Sequence, residues 1–143
     1  MIWSRRSLPP ELEDPFAAFT RTLAVIGEAK DELTSAMPTT RAPGRPLAEA
    51  ILAFESAIAR ADPEMAGWNV PELEHAWASA REGIDRSRRR AAELRRDEAD
   101  PQGFEGLIWA VSQVLDPLDA LEEAVTRFRQ LRRRRKGHAV RAV

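Results

Sequence analysis

The chemistry open to this chain is limited by its scarcest residues. It has two histidines, His75 and His138, and no cysteine among 143 residues. Thiolate metal sites, cysteine nucleophiles and disulfide frameworks are therefore excluded together. The one spacing that suggests metal chemistry is Glu72-Leu-Glu-His75. Glu-x-x-His on a helix turns both ligands to one face, as di-metal carboxylate bundles require, but those centres use the motif twice. His138 has Arg135 three residues before it, so there is no second copy. The acidic cluster reads instead as a solvated first helical turn, which the helix dipole favours. Metal ligands and cofactors are expected to be none.

Covalent chemistry has as little support. No Gly-x-Ser-x-Gly elbow and no Gly-x-x-x-x-Gly-Lys phosphate loop occurs. Lys30 falls on an apolar stripe, where it reads as a register-setting lysine with its ammonium at the rim rather than as an amine nucleophile. No catalytic residue is assigned, and an enzyme is the least expected class.

Arginine is the abundant functional group. The chain carries 22 basic residues against 23 acidic ones, but eight of the basic residues and no acidic residue lie between Arg127 and Val143. This leaves 14 basic against 23 acidic residues in 1–126, so an acidic body precedes a basic tail. Arg88, Arg89, Arg95 and Arg96 crowd one segment, and Arg132, Arg133, Arg134, Arg135 and Lys136 form an unbroken run. Such groups are candidates for contacting phosphates or an acidic partner. Few aromatic residues interleave them, so a base-stacking platform is not indicated.

The elements that position these residues read as helical. Four Asp-Pro pairs (at 14–15, 62–63, 100–101 and 116–117) are expected helix starts, aspartate capping and proline opening the first turn. After the first, Phe16, Phe19, Leu23, Ile26, Leu33 and Met37 recur at helical spacing. A second, shorter helix carries Leu47, Ile51, Phe54 and Ile58, followed by a turn in which Gly67 is available as a left-handed stop. A third, capped by Asn69, presents Leu73, Trp77, Ala80, Ile84, Ser87, Ala91 and Leu94 in alternating steps of four and three. The fourth presents Phe104, Ile108, Val111, Leu115, Leu118, Leu121, Val125 and Phe128, with Pro117 inside it. A kink is expected there, because proline removes one bond of the ladder.

The fold class expected is all-α: an antiparallel four-helix bundle with a kinked or broken last helix. Residues 1–13 read as an N-terminal arm, 14–136 as the bundle and 137–143 as a basic tail. Apolar runs reach only five residues, as in Leu107–Val111, far too short to span a membrane. No apolar stretch follows the charged N-terminus, so a soluble, cytoplasmic protein is expected. The function expected is a helical interaction or assembly module, a homodimer formed through the third and fourth helices. Trp3, Trp109, Val114 and Leu121 are its candidate interface residues. A nucleic-acid-associated protein gripping phosphates through its arginines is the alternative. A small-molecule binder is the third reading, with nothing to select a ligand.

Overall fold

The structure is a computed structural model that describes the backbone of residues 8–142 and the side chains of residues 8–132. It is a helical bundle with no strand among the described residues. The α-helices are α1 (Glu13–Thr34), α2 (Leu47–Ala59), the single-turn α3 (Ala61–Ala66), α4 (Glu74–Arg96), α5 (Gly103–Leu115) and α6 (Leu121–Ala142). Short 3-10 segments precede α1 (Pro10–Leu12) and α4 (Pro71–Leu73), and a third, Asp116–Ala120, separates α5 from α6. None of the helices is long and apolar enough to cross a membrane, among the residues described.

The Asp-Pro pairs do not cap helices as expected. Asp14-Pro15 lies inside the first turn of α1, whose N-cap is Leu12, and Asp62-Pro63 lies inside the first turn of α3. Asp100-Pro101 precedes α5, which Gln102 introduces in extended conformation. Asn69 likewise caps nothing; the extended Val70 and the Pro71–Leu73 turn come before α4. Proline does its expected work at the front of these segments, while the aspartate side chains make no capping hydrogen bond.

Gly67 is right-handed, with φ of −72°. Close approach is what requires it, because a Cβ there would lie 2.6 Å from the Ala18 Cβ of α1. The left-handed stop stands at the end of α4, on Glu98 (φ 50°). Glu98 N–H donates to the Arg95 carbonyl at 3.2 Å and Ala99 N–H to the Leu94 carbonyl at 3.0 Å. Those two bonds make a Schellman stop, in which glycine is the usual left-handed residue.

The core is aromatic at its centre. Trp68 is wholly buried; its Nε1–H donates to Thr22 Oγ1 at 3.1 Å, and the Thr22 hydroxyl donates to the Ala18 carbonyl at 3.0 Å. The Phe19 ring meets Trp68 edge-on at 4.9 Å and stacks on Phe128 at 5.0 Å, tying α1, the α3–α4 connection and α6 together. The alternating seam of α4 is buried at Leu73, Ala80, Ile84, Ser87, Ala91 and Leu94. Trp77 is half-buried, its indole N–H donating to the Met65 carbonyl at 2.7 Å.

Leu8 and Leu12 are buried core residues, and the backbone of α6 is helical to Ala142. The expected seam of the fourth helix is rotated in its first half. Phe104 and Ile108 are exposed, whereas Ala110, Val111 and Val114 face inward. The continuous apolar run Leu107–Val111 carries no periodicity that could have set this phase.

At the 3-10 segment Asp116–Ala120, α4 packs closely against the last helical stretch. A Cβ on Gly83 of α4 would lie 2.4 Å from the Pro117 carbonyl oxygen and 2.8 Å from the Ala120 Cβ. Glycine is therefore the residue that lets the two backbones meet.

Candidate functional site

Two surfaces combine exposure with groups able to recognise a partner, and a third region was a metal candidate from its sequence. In that third region Glu72 lies in the 3-10 turn and His75 in the first turn of α4, so the Glu-x-x-His spacing straddles two helix types. The His75 side chain is almost fully exposed, with Nε2 3.6 Å from a Glu123 carboxylate oxygen. Arg127 lines the same open depression, of about 530 Å³, and its Nε–H donates to the Glu72 carbonyl at 3.1 Å. A fixed guanidinium among the acids opposes binding of a second cation. Among the described residues, no group of three or more His, Asp or Glu side chains is placed to hold a metal ion.

The first surface is the outer face of α5. Phe104, Ile108 and Trp109 are 55%, 40% and 57% exposed, large apolar side chains within six residues of one helix. The Arg90 guanidinium of α4 lies over the Trp109 ring at 5.6 Å and also pairs with Glu93 at 3.0 Å. Trp109 thus has a guanidinium near its ring and is still more than half exposed. Val114 and Leu121 do not belong to this face. They are 0% and 4% exposed, pointing into the chain's own core, and cannot meet a partner. Trp3 lies outside the described residues.

The arginines separate into two classes. Arg88 donates to both Asp62 carboxylate oxygens, at 3.1 and 3.0 Å, and Arg95 makes a two-pronged contact with Glu55 at 2.7 and 3.2 Å. Arg81 reaches both Asp85 (2.6 Å) and Asp62 (3.1 Å). Burial disfavours ionisation of Asp62, but the hydrogen bonds and charges of Arg81 and Arg88 outweigh it and hold the carboxyl below its ordinary value. Arg21–Glu64, Arg45–Glu32 and Arg60–Glu28 join α1 to the following segments in the same way. These guanidiniums are spent on the bundle itself. Arg89 and Arg96 are exposed and pair with no carboxylate among the described residues. The side chains of Arg133, Arg134, Arg135 and Lys136 lie outside the described residues.

Arg132 belongs to neither class. Its guanidinium carbon sits 4.7 Å from the Phe16 ring centroid, beside a cavity of about 200 Å³ between α1 and α6. In the sequence, Phe16 and Phe128 read as core residues of two distant helices and Arg132 as part of the basic run. The available signal was the spacing of Val125, Phe128, Arg129 and Arg132, which places apolar and basic residues on one helical stripe. No family model, no curated protein and no solved structure matches this chain.

Proposed function

We propose that this chain is a non-catalytic interaction module that self-associates through the outer face of α5. The observation that carries the reading is the exposure of Phe104, Ile108 and Trp109 together on that helix. Large apolar side chains exposed this near one another on a helix favour a contact surface, and tryptophan and arginine are both enriched among interface anchors. A second copy of the chain is the partner, because a two-fold contact uses the patch twice and brings apolar surface against apolar surface. Relative to the sequence-based expectation, α5 replaces the third and fourth helices as a whole, since Val114 and Leu121 are committed to the core. A cytoplasmic location goes with this reading.

The alternative, phosphate contact through arginines, loses Arg88 and Arg95 to intramolecular carboxylates. Sedimentation equilibrium of the wild type and of a variant carrying Phe104→Ser, Ile108→Ser and Trp109→Ser tests the proposal. The wild type should fit a reversible dimer and the variant a monomer with unchanged helical circular dichroism. A wild type that stays monomeric at high micromolar concentration overturns it.

A further inference from the structure

The cavity between α1 and α6 does not depend on the α5 face. Phe16, Phe19 and Leu23 of α1 and Val125 and Phe128 of α6 make its walls, and Arg129 and Arg132 also line it. The aromatic walls are fixed by one another: Phe16 meets Phe128 edge-on at 5.2 Å, and Phe19 stacks on the same ring. Thr20, which also lines the cavity, donates its hydroxyl hydrogen to the Phe16 carbonyl at 3.0 Å, so that proton is not offered to a ligand. The body of an occupant is therefore apolar.

Its head is anionic. The Arg132 Nε is buried and has no hydrogen-bond partner. An atom so enclosed is out of a ligand's reach, so an anion meets this guanidinium through its terminal nitrogens. Neither Arg129 nor Arg132 bonds a carboxylate among the described residues, unlike the guanidiniums of Arg81, Arg88 and Arg95. No acidic residue occurs from Arg127 onward to provide one locally. At about 200 Å³ the cavity is smaller than the roughly 300–1,000 Å³ of pockets for drug-sized ligands, which suits a small acid rather than a two-chain lipid.

We propose that this cavity binds an apolar monocarboxylate, its chain or ring against Phe16, Phe19 and Phe128 and its carboxylate on the Arg132 guanidinium. Isothermal titration calorimetry with octanoate, octanol and octylammonium tests this, with benzoate added to separate a chain from a ring. Octanoate or benzoate should bind saturably at one site per chain, and octanol at least about tenfold more weakly, since a charge-assisted contact is lost. Arg132→Gln should weaken the acid by about tenfold or more without altering helicity or the unfolding midpoint. Leu23→Trp, which adds bulk to the cavity lining at an exposed position, should remove binding and leave Arg132 intact. The proposal is overturned if neither acid binds saturably, if octanol matches octanoate, or if a folded Arg132→Gln or Leu23→Trp protein binds like the wild type.

Discussion

Ser87 on α4 donates a 2.6 Å hydrogen bond to the carbonyl oxygen of Val114 on α5, and both residues are fully buried. The bond lies beside Pro117, which has no N–H to give to a carbonyl of the preceding turn. The serine on the α4 seam gives the Val114 carbonyl a donor from across the bundle. Position 87 is thus the polar member of an otherwise apolar series, and its hydroxyl is used on the last turn of α5.

Replacing Ser87 with alanine removes a buried hydrogen bond between α4 and α5. A loss of about 1–3 kcal/mol is expected in urea unfolding. A neutral outcome would mean that water or a local shift satisfies the carbonyl.

Gly83 and Gly27 give opposite expectations for one substitution. Gly83→Ala would drive a methyl into the Pro117 carbonyl and Ala120, at a cost of about 1–3 kcal/mol. Gly27, exposed within α1, has nothing within 4 Å of its added Cβ. Gly27→Ala should therefore stabilise by about 0.5–1 kcal/mol through helix propensity. Thermal midpoints of the two variants should move in opposite directions.

Glu98 holds a left-handed conformation that glycine adopts without strain. Glu98→Gly should raise stability by about 1 kcal/mol, and Glu98→Val should lower it. Chemical denaturation of the pair distinguishes backbone strain at this stop from any effect of the lost charge.

Thr22→Val should cost about 1–3 kcal/mol, because it strands the Trp68 indole N–H inside the core. Thr22→Ser, which keeps the acceptor, should recover most of that loss.

Asp62 carries a pH signature. Burial works against its charge, but Arg81 and Arg88 hold its folded-state pKa below the unfolded value, so ionised Asp62 favours the folded state. That contribution is present above about pH 3.9 and is lost as pH falls through the lower folded-state value. The side chain is 46% exposed, so the effect should stay under about 1 kcal/mol. Asp62→Asn should be slightly less stable than wild type near pH 7, and the difference should vanish in acid.

Much of the helical layout is legible in the sequence, because its signals agree with one another. The α4 seam is readable from Leu73 to Leu94, and α2 from Ile51, Phe54 and Ile58, since polar residues separate the apolar ones at helical steps. Phase is lost in α5, where Leu107–Val111 is apolar on every side and only packing decides that Ala110 and Val114 turn inward. Trp68 was unreadable for another reason. It sits in a connection, where no periodicity marks burial, and its partner Thr22 is 46 residues away. Arg88 and Arg95 looked like free phosphate contacts because their carboxylates, Asp62 and Glu55, lie on earlier segments and meet them only in the folded chain. The aromatic and basic stripe on α6 was present in the sequence, but Phe16 and Phe19, which turn it into a cavity, come from the opposite end of the chain.

The most direct test of the central claim is the mass of the wild-type protein by light scattering after size exclusion, at low and at high salt, with absorbance recorded at two wavelengths. Association through Phe104, Ile108 and Trp109 predicts a mass near twice 16.0 kDa that salt does not reduce, with no nucleic acid in the peak. A mass of 16.0 kDa, or a larger species that carries nucleic acid and falls apart in salt, would contradict it.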